Sequence, residues 1–475
     1  MTERERFERV VRRRQRAHRT FFERPHVTRR CFFRHSLTGL AGSFLWSVPA
    51  VCETVSAGSV LTRNTARNVI FVFLRGAPSH VDTFDFKYLQ GVTPPELQPE
   101  TFGGVTLPMA LLGNTSRVLD KIAIIRSGLA WARAHPLAQS WVQIGRNPTS
   151  ATGGIAPHIG SVVALEKERE RRQDQALPGF VALRAGNIVG SGYFPPRFGP
   201  LRVQPSSEGL QAADHPQGEG VFRRRWAILD EMEAGFRSGN APFGEGAAGL
   251  SGMYADARRL MFNPAVSAAF SYTDEEHARY GATTFGDAVL TARKIIEQDQ
   301  GTRFIQVELD GWDHHTDIYG TQDDDTEATI YSRTAAFDPA FAALIEDLDA
   351  SGRLDETLVL VCGEFGRTPG PLSSARHGRD HYLQMFFVLA GGGIQGGTVV
   401  GSTNDAGGRG PGSFTTEFGW SREREIRPED IEATVYSALG IDWTKVRLDD
   451  PLGRGFRYVP LSDEDAYAPV DELWG

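Results

Sequence analysis

The sequence predicts an α/β protein whose central, mostly parallel sheet carries helices on both faces. Strand-like and helix-like segments alternate from residue 68 to residue 440, the order expected when helices connect parallel strands. Several strand-like segments are uninterrupted apolar runs, such as Asn68–Leu74 and Leu358–Val361, and such runs are typical of strands buried on both faces. These runs break off at glycine and charged residues, which predicts that loops with functional side chains leave the sheet there.

The individual elements follow in a regular order. Predicted strands cover Asn68–Leu74, Lys121–Arg126, Phe180–Leu183, 303–309, 357–362 and Met385–Ala390. Predicted helices cover Pro136–Ile144, Pro157–Leu165, 222–236, 252–262, Thr284–Gln298, Thr334–Ala350 and Arg427–Leu439. Between 184 and 262 the apolar rhythm weakens and Gly, Pro and Ser increase, which indicates an irregular insertion. We therefore expect a single domain over residues 60–465 that contains this insertion.

The amino-terminal region differs in charge from the rest of the chain. Residues 1–35 contain twelve arginines and four glutamates, a net charge of +8, whereas the whole chain carries −8, so the remainder carries −16. An acidic body offers no basic face to a phosphate backbone. The charge distribution therefore argues against nucleic acid as a partner.

The basic head has the organisation of an export signal. Thr28–Arg34 reads Thr-Arg-Arg-Cys-Phe-Phe-Arg, a twin-arginine pattern, and the charge-free, mildly apolar stretch Ser36–Val51 follows it. We expect residues 1–52 to be a signal peptide for the twin-arginine export machinery, with the protein delivered to the periplasm or cell envelope. The alternative is a disordered basic tail with a chance arginine pair. No later stretch has about 18 consecutive apolar residues, so we expect no transmembrane segment in the mature chain.

Three polar clusters beside buried strands carry the candidate chemistry. They are Glu364 with Arg367 after strand 357–362, Asp313 with His315 after strand 303–309, and Arg379-Asp380-His381 before the strand Met385–Ala390. Ligands of open α/β sheets bind outside the carboxyl ends of the strands, so these clusters are expected to form one site. Asp313 and His315 are two residues apart, a spacing that turns both side chains to one side of an extended loop.

The residue types in these clusters suit a divalent metal. Asp313, His315, Glu364 and His381 form a mixed oxygen and nitrogen set, which fits zinc or manganese better than calcium. The alternative interpretation is a buried salt-bridge network that holds long loops together.

Further residues extend the metal hypothesis. Asp82 and Asp85, beyond the first strand, could bind a second ion, and two ions would clamp an ester that undergoes in-line displacement. Arg367 and Arg379 could bind the anion of such an ester with two parallel hydrogen bonds.

Several segments of the sequence resemble a bacterial family known as domain of unknown function 1501. They occur in the family's order over about residues 67–445, and they are FVFLRGAPSHVDTFD, ARAHPLAQSWVQIGRN, ARYGATTFGDAVLTARKIIE, GWDHH, CGEFGRTP, GRDH and AGGGIQGGTVVGSTNDAG. The family is placed by similarity in the alkaline phosphatase and sulfatase superfamily. The resemblance implies a three-layer sandwich with a mostly parallel central sheet and metal ligands at the strand ends.

The resemblance also implies residue roles. It pairs an acidic ligand with a histidine further along the chain, a spacing that Glu364 and His381 match. It puts His135 where sulfatases carry their nucleophile. Two features depart from the superfamily: residues 75–77, Arg-Gly-Ala, replace the carboxylates that end the first strand, and no Ser, Thr or Cys stands at the nucleophile position. His135 is therefore a metal ligand, a phosphohistidine-type nucleophile or a residue without a catalytic role, and a double-displacement mechanism does not carry over.

Together these observations predict an exported, metal-dependent hydrolase of phosphate or sulfate esters in a small-molecule or polysaccharide substrate. The expected metal-binding residues are Asp313, His315, Glu364, His381, Asp82 and Asp85. The residues expected to take part in catalysis are His135, Asp380, Arg367 and Arg379. The alternative function is a catalytically degenerate binding or scaffold protein of the cell envelope that retains the fold.

Overall fold

The computed structural model of the protein describes residues 60–210, 213–237, 254–322, 328–408, 425–464 and 466–474. The predicted signal peptide, residues 1–52, lies outside these ranges, as does the start of the predicted helix 252–262.

The strands confirm the predicted α/β class with a mostly parallel sheet. Their bounds are β1 Asn68–Leu74, β2 Pro99–Phe102, β3 Val105–Pro108, β4 Ile122–Leu129, β5 Phe180–Leu183, β6 Leu201–Val203, β7 Phe304–Leu309, β8 Thr357–Cys362, β9 Gly366–Arg367, β10 His381–Tyr382, β11 Gln384–Ala390, β12 Val399–Val400, β13 Val446–Arg447 and β14 Phe456–Arg457. Within the described residues, eight of them form one sheet in the order β12-β4-β11-β8-β1-β7-β5-β6. β11 pairs antiparallel with β4 and β8, and the other pairings of this sheet are parallel.

The helices begin and end at recognisable signals. Their bounds are Met109–Leu112, His135–Ile144, Ile159–Lys167, Gly218–Arg237, Pro264–Phe270, Asp274–Arg279, Thr284–Gln298, Ile330–Ala350 and Pro428–Ala438. Thr283 caps the helix Thr284–Gln298 through its side chain, and Gly145 ends the helix His135–Ile144 in the left-handed conformation. In the described ranges, no helix combines the length and the hydropathy that crossing a bilayer requires.

The central strands are buried on both faces, which explains their uninterrupted apolar runs. Ile70 and Val72 of β1 belong to one hydrophobic core, which also contains residues of the helices Thr284–Gln298 and Ile330–Ala350. Phe71 and Phe73 belong to a second core, which contains residues of the helices His135–Ile144, Ile159–Lys167 and Pro428–Ala438. Because successive side chains of a strand point to opposite faces, the two cores lie on opposite sides of the sheet. The predicted three-layer sandwich is therefore confirmed.

Loops from three adjacent strands meet at one edge of the sheet. β1 lies between β7 and β8, with Leu74 opposite Leu309 and Phe73 opposite Cys362. The chain therefore leaves all three strands at the same level. Gly76 has φ +113°, and a Cβ atom there would lie 2.7 Å from the backbone nitrogens of Trp312 and Asp313. The loop after β7 thus rests directly on the backbone that follows β1.

Two elements differ from the sequence-based predictions. The predicted helix Thr334–Ala350 begins earlier, at Ile330, because Thr329 and Ser332 form a capping box with each other's backbone. The segment 184–262, expected to be irregular apart from two helices, also contributes β6 to the central sheet.

Candidate metal centre

Four side chains converge at the carboxyl edge of the sheet. His135, Asp313, His315 and His381 each offer one ligand atom, and these atoms all lie within 4.8 Å of one another. We call these four residues the metal centre. They come from three separate parts of the chain: the start of the helix His135–Ile144, the loop after β7, and β10.

The loop after β7 positions two members of the metal centre by alternation. Trp312 and His314 are buried, whereas Asp313 and His315 are partly exposed on the opposite side of the loop. Trp312 packs its ring 6.5 Å from that of Phe337, in the core beneath the loop. Burial of Trp312 and His314 thus fixes the loop against the core. The side chains of Asp313 and His315 therefore lie on the same side of the loop, as their two-residue spacing predicts.

Glu364 fixes the orientation of His135. This carboxylate is completely buried directly after β8, where its Oε1 accepts a hydrogen bond from His135 Nδ1 at 2.7 Å and from Gln139 Nε2 at 3.0 Å. The backbone nitrogen of Gly76 donates to it at 3.1 Å. Glu364, predicted to bind metal, therefore lies behind His135 and is not among the four converging side chains.

The other two histidines are held in the same manner. His315 Nδ1 lies 3.0 Å from Asp380 Oδ1, and His381 Nδ1 lies 2.6 Å from the carbonyl oxygen of Arg133. Carboxylate and carbonyl oxygens accept hydrogen bonds, so each Nδ1 carries the proton. In its singly protonated form each ring presents the lone pair of Nε2, the arrangement found around metal-binding histidines.

The Nε2 atoms point toward one another and toward Asp313. His315 Nε2 lies 2.8 Å from His381 Nε2, and Asp313 Oδ1 lies 3.2 Å, 3.3 Å and 3.7 Å from Nε2 of His315, His135 and His381. Ligands of a tetrahedral zinc ion with bonds of about 2.0–2.1 Å stand about 3.3 Å apart. His135 Nε2 is also buried, and the described residues give it no hydrogen-bond partner. Nitrogen and oxygen atoms this close need a cation among them, either a shared proton or a metal ion, so the group fits a metal ion.

The electrostatics of the metal centre also favour a cation. Burial opposes protonation of His135, but the neighbouring carboxylates of Asp313 and Glu364 outweigh it and raise the pKa of His135 to about 9. Burial acts against ionisation of Asp313 as well, yet contacts with His135 and Arg367 hold its pKa below the usual value. The carboxylates of the metal centre and its surroundings thus stabilise a positive charge at a half-buried position.

Arg367 holds Asp313 in place and is not accessible to a substrate. Its side chain is fully buried, with Nη2 at 2.5 Å from Asp313 Oδ1 and at 2.5 Å from the carbonyl oxygen of Gly76. Nε donates to the carbonyl oxygen of Ala77 at 2.9 Å, and Nη1 to that of Arg379 at 3.2 Å. The structure therefore gives Arg367 a supporting position, whereas the sequence suggested that it binds the anion.

Asp82 and Arg379 form a separate buried ion pair. Both side chains are fully buried, and Arg379 Nε lies 2.7 Å from Asp82 Oδ2. Ser79 Oγ donates to Asp82 Oδ2 at 2.5 Å and Tyr319 Oη to Oδ1 at 2.6 Å, so both carboxylate oxygens are satisfied by the protein. Nη2 of Arg379 also donates to Asp82 Oδ1, and Nη1 donates to the carbonyl oxygens of residues 368 and 370. The structure does not bring Asp82 or Arg379 into the metal centre.

Asp85 and Asp380 occupy contrasting positions. Asp85 is buried, accepts a hydrogen bond from Thr403 Oγ1 at 2.5 Å and lies 3.1 Å from Lys87 Nζ, outside the group of four. Asp380 has a side chain that is 66% exposed while one of its oxygens contacts His315. Asp380 is thus the predicted catalytic residue that remains accessible at the rim.

Sequence reasoning missed several groups that support the metal centre. Gln139 is four residues after His135, on the same face of the helix, and this spacing was a usable signal. The carbonyl oxygen of Arg133 and the backbone nitrogen of Gly76 left no signal, because their roles depend on backbone geometry. Phe365, beside Glu364, places its ring 4.8 Å from His135 and 4.7 Å from His381, beneath both imidazoles.

The fold and the site define a three-layer α/β protein with a histidine-rich candidate metal centre. The chain belongs to the family described as protein of unknown function (DUF1501), whose model matches residues 66–465. This match confirms the resemblance seen in the sequence. No curated protein matches this chain in sequence.

Several solved structures resemble the protein at low identity. The lipoteichoic acid synthase LtaP from Listeria monocytogenes is 11% identical over 84% of this chain and 77% of its own, with a TM-score of 0.38. The phosphonate monoester hydrolase SpPMH from Silicibacter pomeroyi is 11% identical over 86% and 76%, with a TM-score of 0.39. A protein in the alkaline phosphatase superfamily from Vibrio parahaemolyticus is 10% identical over 80% and 67%, with a TM-score of 0.36. None of these likenesses assigns a reaction to this chain.

Proposed function

We propose that the protein binds a divalent metal, zinc in the first place and manganese as the alternative, through His135, Asp313, His315 and His381. The observation that carries this proposal is the common orientation of the three imidazoles. Each uses Nδ1 to contact an oxygen acceptor and directs Nε2 toward Asp313 Oδ1. Glu364 and Asp380 complete carboxylate–histidine–metal arrangements, which raise ligand basicity and fix the ring tautomer.

We further propose that the metal centre hydrolyses phosphate or sulfate esters outside the cytoplasm. A bound divalent ion would act as a Lewis acid toward an ester oxygen and supply a nucleophile from water at neutral pH. Asp313 is about half exposed, so a substrate can reach the centre from solvent. Asp380, also exposed, is positioned to exchange a proton with the leaving group, while its contact with His315 keeps it beside the reaction.

The position of His135 supports a ligand role in place of a nucleophile. Its Nε2 is buried and faces Asp313 at 3.3 Å, and its Nδ1 is occupied by Glu364. A phosphohistidine would need a free, accessible ring nitrogen. The proposed hydrolysis therefore proceeds by direct attack of water, without a covalent enzyme intermediate.

The first test is the metal content of protein purified without chelator. We expect about one equivalent of zinc or manganese by elemental analysis, and its loss in a His315→Ala/His381→Ala double variant. His215→Ala, a histidine outside the metal centre, is the matched control and should retain the metal. Metal-free wild-type protein whose melting is unchanged by chelator and by added zinc would contradict the proposal.

The second test separates catalysis from binding. A panel of aryl phosphates and aryl sulfates should show turnover by the metal-loaded protein that the double variant lacks. A binding or scaffold protein is the second candidate, and one observation favours it: four protein ligands can satisfy a tetrahedral ion, as in structural zinc sites. Full metal loading without turnover of any ester would support that alternative.

A further inference from the structure

A second charged group lies at the same carboxyl edge of the sheet, beside the loop that carries Asp313. Arg75 follows β1, Arg184 follows β5, and Arg333 lies in the first turn of the helix Ile330–Ala350. Their side chains surround Asp310, the residue directly after β7. We call Arg75, Arg184 and Arg333 the arginine cluster.

The contacts within this group are uneven. Arg75 Nη2 lies 3.1 Å from Asp310 Oδ2, and Arg184 Nη2 lies 3.5 Å from Asp310 Oδ1. Arg333 Nη1 donates to the carbonyl oxygen of Asp310 at 3.3 Å. The distances for Arg184 and Arg333 are long for N–H···O hydrogen bonds, whose usual range ends near 3.2 Å. A guanidinium has five N–H donors, so both side chains keep donors for an external acceptor.

The charge of the group is not balanced internally. Among the residues that the structure describes, three guanidinium groups face two carboxylates, Glu308 and Asp310. Glu308 is buried and held on one side by Arg75 and on the other by the backbone nitrogen of Gly186 at 2.7 Å. Asp310 is about half exposed. The arginine cluster therefore presents a local positive surplus on a chain whose residues after position 35 carry −16.

The backbone around the arginine cluster connects it to the metal centre. Arg184 has φ +54°, a left-handed conformation that a long side chain rarely adopts and that is often retained at functional sites. Trp312 N donates to the carbonyl oxygen of Arg75 at 3.2 Å, next to Asp313. Asp310 and Asp313 are three residues apart, so their Cα atoms lie within about 11 Å. One substrate molecule can therefore span both places.

We propose that the arginine cluster is a subsite for a second anionic group of the substrate. Arginine forks bind carboxylate, sulfate and phosphate groups through paired, charge-assisted hydrogen bonds, which neutral groups cannot match. The preferred substrates are accordingly esters that carry at least one further anion beside the one that reacts, such as multiply sulfated or phosphorylated saccharides. This inference deepens the proposed function and, as a statement about substrates, rests on it.

A binding experiment tests the subsite without any contribution from metal. Chelator-treated full-length protein is titrated calorimetrically with a disulfated disaccharide and with its unsulfated parent, at physiological ionic strength so that binding to the basic residues 1–35 is screened. We expect binding of the sulfated probe alone, at least tenfold weaker in Arg184→Gln and in Arg333→Gln, since each removes a charged donor. Arg184→Lys, which keeps the charge, should lose less. Arg117→Gln removes an exposed arginine paired with Glu346 elsewhere and should bind as the wild type does.

The outcomes separate this inference from the proposed function. The subsite is overturned if the wild type and both glutamine variants bind the sulfated probe with equal affinity. It is also overturned if Arg117→Gln loses as much affinity for that probe as the two variants do. Because Arg184 and Arg333 lie on different elements, misfolding of one variant leaves the other as the test. If the protein binds no metal but shows arginine-dependent binding, the subsite stands and the hydrolase proposal fails. If it hydrolyses esters, we also expect the KM for a bis-anionic ester to rise at least tenfold in Arg184→Gln, with little change in kcat.

Discussion

Two groups of charged residues at the same sheet edge have opposite physical character. In the buried ion pair of Asp82 and Arg379, both carboxylate oxygens accept hydrogen bonds from protein donors and both side chains are excluded from solvent. In the metal centre, each imidazole binds an oxygen acceptor through its outer nitrogen, while the inner nitrogens lie close to one another around a half-exposed carboxylate. The comparison shows that residue type does not make a ligand. A group is available to a metal when its potential ligand atoms face a common, solvent-accessible point and are not each held by a separate protein donor.

The largest expected effect is the loss of metal and activity on removal of inner ligands. We expect His315→Ala/His381→Ala to reduce ester hydrolysis by orders of magnitude, because the ion that activates water is no longer held. The free energy of unfolding in chelator should change by less than about 1 kcal/mol, since both side chains are partly exposed. Denaturant titration in chelator, beside a kinetic assay, measures both quantities. A large loss of stability in chelator would show that these histidines stabilise the fold, as the buried ion pair of Asp82 and Arg379 does.

The reverse result is expected for the buried ion pair. Asp82→Ala leaves the guanidinium of Arg379 buried without its counter-charge, and breaking such a pair costs about 3–5 kcal/mol of stability. Metal content per folded molecule should be unchanged. Chemical denaturation and elemental analysis of the same preparation check the two statements. Loss of metal from a variant that remains folded would show that Asp82 belongs to the metal centre after all.

A smaller effect is expected for Glu364, the buried carboxylate that supports His135 from outside the metal centre. Glu364→Gln keeps the shape of the side chain but removes the charge that orients His135, so metal affinity should fall about 10–100-fold. Competition with a zinc-binding dye measures the dissociation constant. Glu346→Gln, at an exposed ion pair with Arg117, is the control and should leave affinity unchanged. If Glu364→Gln abolished binding completely, Glu364 would be a direct ligand.

The smallest effect is a pH dependence confined to the ion pair. Burial opposes ionisation of Asp82, but Arg379, Ser79 and Tyr319 outweigh it and hold the pKa of this carboxyl below its usual value of 3.8. A lowered folded-state pKa contributes stability that is present above the unfolded pKa and is lost as the pH falls through the folded value. The free energy of unfolding, measured in chelator, is therefore expected to differ less between the wild type and Asp82→Asn as the pH falls below about 4. A gap that stays constant from pH 6 to pH 2 would contradict this assignment.

The positions of the loops could be predicted from the sequence, whereas the division of roles among them could not. The aliphatic runs of β1, β7 and β8 revealed buried parallel strands, and parallel strands deliver their loops to one edge. The position of Asp313 and His315 beside the loop after β8 followed from that rule, whereas His381 precedes β11 and reaches the same edge because β11 runs antiparallel to β8. Whether a carboxylate becomes an inner ligand, as proposed for Asp313, or an outer support, as observed for Glu364, depends on distances of a few ångströms between loops.

Arginines show the same limit more clearly. A sequence pattern cannot distinguish an arginine that faces solvent from one buried against carbonyl oxygens, because the neighbours along the chain do not fix the direction of the side chain. Arg367 and Arg379 were assigned to anion binding on their neighbours alone, and both are buried. Nothing in the local sequence marks Arg184 or Arg333, because their common partner Asp310 lies beside them only once β5, β7 and the helix Ile330–Ala350 are assembled.

Gly76 sets a limit on how this protein can vary. With no room for even a methyl group between its α-carbon and the amides of Trp312 and Asp313, a library randomised at codon 76 should return glycine alone among folded, metal-loaded clones. The distance between β1 and the loop that carries Asp313 is thus set by a direct backbone-to-backbone contact at Gly76. Residues at the exposed rim can therefore vary while the distance between β1 and the loop that carries Asp313 stays fixed.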